Sequence, residues 1–314
     1  MRILKSFSFP EGNIRGDMFY IKHTKDNFTV IDCFLKDGDG KNCRQSEIID
    51  EVVKESQGRV CRFISTHPDK DHIQGIEELD KKWPILNFYA VNNQTPADKS
   101  DPSLTRYLQL LSEKNCAIYR GLKRAWLNKD AENKCSSGLS FLWPKLDNEK
   151  FKNTLKSVAE GGSPNNISCV IKYAIADGPS YLWMGDMETD MQQEFYDSCH
   201  SSIPQIDILF QPHHGRESGM VPSDLLKALN PKLIIIGNAP SENIHYGNPD
   251  ITITQNEAGD ILFENGNSRV DIYTKNEIDN VPKCLVKDPE LGDKGCQYHG
   301  WIFVEWHYCG TLYL

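Results

Sequence analysis

The sequence predicts an α/β fold in which two sheets pack together with helices outside, and three observations predict it. Apolar runs of strand length at residues 60–65, 181–184 and 206–210 each end in acidic or imidazole side chains: His67-Pro68-Asp69-Lys70-Asp71-His72, Gly185-Asp186 and His213-His214-Gly215. Strand-like runs alternate with runs whose apolar residues fall at helical spacing. Similar side chains delivered at the ends of several strands require one mouth at one edge of a sandwich.

Composition narrows the class. At 314 residues, with 39% hydrophobic and 25% charged, the chain has the make-up of a globular protein with a sizeable core. The mean hydropathy of −0.52 agrees. No apolar run is long enough to span a bilayer, and Met1-Arg2-Ile3-Leu4-Lys5-Ser6-Phe7 lacks the apolar core of a signal peptide. A cytoplasmic protein with no membrane partner is therefore expected. The ten cysteines stand singly, without a Cys-x-x-Cys pair, so none is assigned to metal. Cys61 and Cys169 fall in strand-like runs and read as small core residues. A net charge of −9 excludes a protein that coats nucleic acid by bulk electrostatics. It leaves room for an enzyme with a local basic rim, because part of the acidity is the candidate ligand set itself.

Along the chain, residues 3–9 are apolar at alternate positions, 17–22 follow Gly16, and 28–34 are rich in β-branched and aromatic residues. These are two or three strands, with a polar hairpin loop at 23–27. A Gly-Asp-rich turn at 37–42 precedes a helix at 46–57, where Ile48, Ile49, Val52 and Val53 are helically spaced. Residues 73–82 read as one helix whose N-terminus faces the His/Asp run, where its dipole favours an anion. A strand at 86–91, an amphipathic helix at 103–114 and strands near 116–120 and 139–143 follow. Between them Arg120, Lys123, Arg124 and Lys129 with Trp126 make the most basic segment, read as a solvated loop. Gly161-Gly162-Ser163-Pro164-Asn165-Asn166 is a turn delivering a strand, its asparagines suited to the turn or to a substrate contact. After the 181–184 strand, Gly185 lets the backbone approach closely. Helices at 187–199 and 222–229 frame the 206–210 strand, and a buried strand covers 231–237. Adjacent histidines on an extended chain face opposite ways, so one of His213 and His214 serves the site and the other packs; His214 is favoured. The aromatic run 301–308 reads as a strand on a sheet edge or an oligomer contact, a route to a second copy or a protein partner.

Two imidazoles and two carboxylates within six residues need a cation to cancel their charge, and imidazole with carboxylate suits Zn, Mn or Fe. A pair of ions uses the run more fully than one.

The run from His67 to His72 resembles the first metal motif of the metallo-β-lactamase superfamily, His-x-His-x-Asp-His, in the variant with aspartate at the second histidine. That variant is similar to the C-terminal, nuclease-like domain of the ComEC family of DNA-uptake proteins and its soluble relatives. Asn165-Asn166-Ile167-Ser168, Gly185-Asp186 and His213-His214-Gly215 resemble later motifs of that group. The resemblance implies a four-layer αββα sandwich over residues 1–275, with 276–314 as an aromatic β extension packed on the same domain. It implies that His67 and Asp69 serve one ion, Asp71 and His72 the other, that Asp186 spans both, and that His213, His214 or His245 completes the set. Asp69 makes the first site richer in oxygen than a three-histidine zinc site, so the two divalent ions are Zn or Mn. Asp32 ends the opening hairpin, either as a partner behind the ligands or as strand-end polarity. Arg216 stands where a small hydroxyl residue is usual and suits a phosphate or carboxylate oxygen. Asn248 stands where relatives carry the histidine of Tyr-Gly-His-Pro, with His245 three residues earlier, and the helix expected next is missing.

The function expected is a metal-dependent hydrolase, a phosphodiesterase or nuclease using a water activated by two metals. Asp71 and His214 are the candidates for moving protons, and Arg216, Lys70 and Asn166 for holding an oxygen of a nucleotide or nucleic-acid phosphodiester. Two alternatives stand beside it: a hydrolase of another ester, a lactone or a β-lactam, and a catalytically impaired metal-binding subunit that senses a ligand or serves a partner.

Overall fold

The computed structural model describes residues 2–9, 16–35, 44–132, 134–240, 242, 244, 245, 248–298 and 301–314, with side chains for all but 296–304. In chain order the elements are β1 (Arg2–Ser6), β2 (Phe19–Lys22), β3 (Asn27–Ile31), α1 (Gln45–Ser56), β4 (Val60–Ile64), α2 (Lys70–Ile73), α3 (Ile76–Lys82) and β5 (Phe88–Ala90). Next come α4 (Pro102–Glu113), β6 (Asn115–Ala117), β7 (Leu139–Trp143), α5 (Glu149–Ala159), β8 (Val170–Ala174), β9 (Ser180–Trp183), α6 (Thr189–Cys199) and β10 (Ile208–Phe210). The last are α7 (Ser223–Leu229), β11 (Leu233–Ile236), β12 (Thr252–Thr254), α8 (Gln255–Ala258), β13 (Ile261–Asn265), β14 (Arg269–Thr274), β15 (Lys294–Tyr298) and β16 (Trp301–Tyr313).

The strands form a ten-stranded sheet, ordered β15-β16-β14-β13-β1-β2-β3-β4-β5-β6, and a six-stranded sheet, ordered β12-β11-β10-β9-β8-β7. Alternation along the strands builds the layers. On one face of the larger sheet Tyr20, Phe28, Val30, Phe63 and Phe88 pack with Ile48 and Val52 of α1, Ile76 and Leu79 of α3, and Tyr107 and Leu110 of α4. On its other face Phe19 meets Trp183 and Phe210 of the smaller sheet edge-on, ring centroids 5.9 and 4.9 Å apart. Beyond the smaller sheet, Trp143 packs on Phe151 of α5 and Phe195 of α6. The molecule is thus an αββα sandwich, and each fully buried Phe contributes about 1.5–3 kcal/mol. Cys169 lies in the core as expected, whereas Cys61 is only half-buried.

Strand direction positions the site. β3 to β6 run parallel in one sheet and β9 to β12 parallel in the other. Asp32 follows β3, His67 follows β4, Asp186 follows β9, and His213 and His214 follow β10. β2 runs antiparallel to β3, so Asp17, just before β2, lies at the edge where β3 ends. The C-terminal strand β16 continues the larger sheet by pairing antiparallel with β14. Among the described residues, no helix is long and apolar enough to cross a membrane.

Some elements differ from expectation. The single helix expected at 73–82 is broken: Gln74 is extended and Gly75 has φ 89°, where a Cβ would lie 2.7 Å from that of Leu35. Helix α5 falls in a stretch where none was expected. Its signals are Asn148, whose side chain accepts from Phe151 N–H, and apolar Phe151, Leu155 and Val158 at helical spacing. The strand near 116–120 is the shorter β6. After residue 248 a 3-10 turn (Pro249–Ile251) leads to β12 and the four-residue α8, in place of the long helix. The turn at 37–42, Tyr246 and Gly247 lie outside the described residues.

Candidate metal centre

The loop after β4 is built by its own sequence. Asp69 caps α2: its Oδ1 accepts from Lys70 N–H at 2.8 Å, and its carbonyl accepts from His72 and Ile73. The cap starts a helical turn that carries Asp71 outward and His72 inward, leaving His72 fully buried. Asp32 fixes this loop from the neighbouring strand. Its carboxylate accepts from Thr66 N–H at 2.7 Å, from Thr66 Oγ1 at 2.6 Å and from His72 Nδ1 at 2.8 Å. A carboxylate behind Nδ1 leaves Nε2 of His72 as the donor.

Asp186 is the hub on the other sheet. Its Oδ1 lies 3.1 Å from His72 Nε2 and 3.5 Å from His214 Nε2, and its Oδ2 lies 3.7 Å from His213 Nε2. Gly185 has φ 52°, and a Cβ there would sit 2.8 Å from Ser168 Oγ and 2.9 Å from Thr66 Oγ1, so the two sheet edges meet only over glycine. Asp71 closes the group, 3.6 Å from His214 Nε2 and 4.0 Å from His72 Nε2. One donor atom from each of Asp71, His72, Asp186 and His214 falls within 4.8 Å of the others, the geometry of a group that could hold a metal ion.

The buried polar atoms point the same way. His67 Nε2, His72 Nε2, His214 Nε2 and Asp186 Oδ1 are all buried without a hydrogen-bond partner. Leaving such atoms unpaired costs about 1–3 kcal/mol each, whereas a cation would use those of His72, His214 and Asp186, which belong to the four-residue group. Their chemistry, imidazole and carboxylate, fits Zn, Mn or Fe. Electrostatics agree. Burial would push the Asp186 carboxyl up, but His72 and His214 hold it well below its ordinary range. Burial would lower His214, yet Asp186, Asp17 and Asp71 raise it to about 9. Burial and the neighbouring His72 take His67 down to about 3, leaving it a neutral donor.

Of the residues singled out in the sequence, Asp71, His72, Asp186 and His214 meet in the four-residue group, and the others lie outside it. His67 lies tilted against His72, ring centroids 4.2 Å apart. Of the two adjacent histidines His214 joins the four-residue group and His213 does not, though not because they face opposite ways. The chain there is not extended: both residues are left-handed, with φ 51° and 52°, and both rings reach Asp186. Ser218 Oγ lies 2.9 Å from His213 Nδ1. Asp69 is half-buried and engaged as a cap, while Lys70 is exposed. Asn166 is not free for a substrate, because Glu188 takes both ends of its amide at 2.7 and 2.9 Å. The neighbouring Asn165 is the one with a buried Oδ1 lacking a partner. Arg216 is half-buried, with a buried Nε that makes no hydrogen bond. His245 is exposed and stands outside the four-residue group.

Sequence reasoning missed Asp17, whose Oδ1 is 3.5 Å from His214 Nδ1. The only signal for it is Gly16-Asp17 ahead of an antiparallel strand, which becomes meaningful once strand direction is known.

No protein-family model matches the chain, and no curated protein does. Among solved structures the chain is similar to CmlA, a diiron β-hydroxylase from Streptomyces venezuelae, at 12% identity and a TM-score of 0.39, over 75% of this chain and 44% of that one. It is also similar to a mutant of the CmlA β-hydroxylase, at 12% identity and a TM-score of 0.40, over 76% of this chain and 46% of that one. The chain spans less than half the length of either, and at these scores neither likeness speaks to what it binds or does.

Proposed function

We propose that the chain is a metal-dependent hydrolase that holds two divalent ions, Zn or Mn, around Asp186 and cleaves a phosphodiester of a nucleotide or nucleic acid. The observation that carries the reading is the set of buried, unpartnered donor atoms facing one carboxylate, contributed by two sheets. When bound, such ions lower the pKa of a water and offset the charge that develops on a phosphate. His67, His72, His213 and His214 would donate through Nε2, Asp71 and Asp186 through carboxylate oxygens. Asp71 is the most exposed of the four grouped residues, which places it to relay a proton between the centre and solvent, while His214 and His72 outweigh burial and hold its carboxyl down to about 2, so that it stands ionised as a donor. Arg216, with its unpartnered Nε, offers a planar donor to a non-bridging oxygen. The preference for a phosphodiester rests on this arginine and on the resemblance to the ComEC-like group.

The test is elemental analysis of the purified protein with Mn-dependent hydrolysis of bis(p-nitrophenyl) phosphate, for wild type and Asp71→Ala. About two ions per chain, with activity falling at least ~100-fold in the variant, is the expected result. Bound metal without turnover on this ester or on nucleic acids points instead to a metal-binding sensing or partner subunit, a reading favoured by the engagement of Asn166 with Glu188 and the exposure of His245. Protein that takes up no ion refutes both.

A further inference from the structure

His72 and His214 approach Asp186 Oδ1 from the two sheets, each through Nε2. An imidazole can give its Nε2 lone pair to a cation only if its proton sits on Nδ1, and a carboxylate behind Nδ1 fixes that tautomer. His72 has such a carboxylate in Asp32, at 2.8 Å. Behind His214 the nearest carboxylate is Asp17, its Oδ1 at 3.5 Å from an Nδ1 that is buried and has no hydrogen-bond partner.

Asp17 is held in that place by the backbone. Its N–H donates to the carbonyl of Asp71 at 3.0 Å, tying the start of β2 to the loop that carries Asp71 and His72. The space it uses is kept open by Gly237, at the end of β11. A Cβ on Gly237 would lie 3.0 Å from Asp17 Oδ1 and 3.1 Å from His214 Nδ1, crowding both atoms from one side. Gly237 is not in the left-handed conformation that calls for glycine, so the room beside these two atoms is the reason for a residue without a side chain there.

We infer that Asp17 is the positioning carboxylate of His214: it holds the Nδ1 proton, so that Nε2 faces the centre, through a gap that Gly237 leaves open. The inference rests on reading the centre as a metal site. It gives each central imidazole a carboxylate, Asp32 hydrogen-bonded behind one and Asp17 at 3.5 Å behind the other, although the two come from different strands and neither belongs to the His/Asp runs.

The test uses the full chain and Zn²⁺ as probe. Zn affinity is measured by competition with a chelator for wild type, Asp17→Ala, Asp17→Asn and Gly237→Ala, and the His214 tautomer is read by NMR of ¹⁵N-histidine-labelled, Zn-loaded protein. Asp17→Ala should weaken Zn binding by about 10–100-fold. Asp17→Asn, whose amide oxygen still accepts, should recover part of that loss. Gly237→Ala should lower affinity in the same direction while leaving every donor in place. The His214 Nδ1–H signal should be present in wild type and lost or broadened in Asp17→Ala. Wild-type affinity with an unchanged tautomer in Asp17→Ala would overturn the inference and leave the metal reading standing. So would equal losses in the Ala and Asn variants that track their thermal unfolding without metal, since that marks a purely structural role. Wild-type protein that binds no Zn or other divalent ion would overturn the metal reading first and this inference with it.

Discussion

The loop after β4 sets His67 and His72 with backbone that has no left-handed residue between Ser65 and Ile73, using one aspartate to cap a helical turn. The loop after β10 sets His213 and His214 by placing both in the left-handed region, a conformation that costs a non-glycine residue about 1–2 kcal/mol. Surroundings retain that strain. Ser218 lies against His213, and the glycine at 219 fits where a Cβ would come within 2.5 Å of the His213 Cβ. The backbone of one half is therefore set by its own cap and pinned from β3 by Asp32, whereas the other half is held in a strained backbone by its tertiary surroundings. The difference teaches that a dipeptide such as His-His gives composition but not direction.

The comparison predicts where damage should spread. Asp32→Ala should have the largest effect, because it leaves Thr66 N–H, Thr66 Oγ1 and His72 Nδ1 buried without their shared acceptor. At about 1–3 kcal/mol for each stranded group, and with incomplete additivity, the loss should be on the order of 3–5 kcal/mol in denaturant unfolding. A loss below about 1 kcal/mol would show that the loop after β4 stands on its own cap, and the pinning by Asp32 from β3 would drop out of the comparison.

How much was legible follows the same division. The αββα layering could be read because apolar strands alternating with helically spaced runs allow few arrangements, Asp186 and His214 because each closely follows an apolar strand, and Asp71 and His72 because they crowd one short His/Asp run. Asp32 was visible only as a polar strand end; its three hydrogen bonds depend on β3 lying beside β4. Asp17 and Gly237 were illegible because their meaning lies in the approach of β2, β10 and β11, far apart in the chain. That His213 also turns towards Asp186 was illegible, since period-two alternation presumes an extended backbone. Asn166 was misread because nothing local distinguishes it from Asn165, and only the position of Glu188 decides which amide is engaged. Helix α5 was overlooked although Asn148 and the Phe151, Leu155, Val158 spacing mark it, its polar length masking the apolar face.

Acidity should sharpen the contrast by a smaller amount. His214 is raised from its ordinary 6.5 to about 9 by three carboxylates that outweigh burial. A histidine whose folded pKa is raised stabilises the fold fully below its ordinary value and loses that contribution as pH climbs through the folded one. Metal-free protein should therefore lose thermal stability between about pH 6.5 and pH 9. A bound cation needs the imidazole neutral, so the metal-loaded protein should lack this decline and metal uptake below pH 9 should release protons. Scanning unfolding at several pH values, with and without Zn, reads both. A decline of the same size in the loaded protein would separate His214 from the metal.

The smallest effect should come from His245, the residue that sequence alone offered as a replacement for the histidine missing at Asn248. In the structure its backbone N–H donates to Gly215 carbonyl at 2.8 Å, which ties the segment to the loop after β10 without using the imidazole. The ring itself is exposed. His245→Ala keeps that backbone bond and removes only a surface ring, so stability should change by no more than about 0.5 kcal/mol. Zn affinity should stay at the wild-type value. A tenfold loss of Zn affinity would mean that His245 turns inward when an ion binds. The half of the centre held by tertiary contacts would then extend to a third loop, and the division between the two halves would have to be redrawn with three imidazoles on the second side.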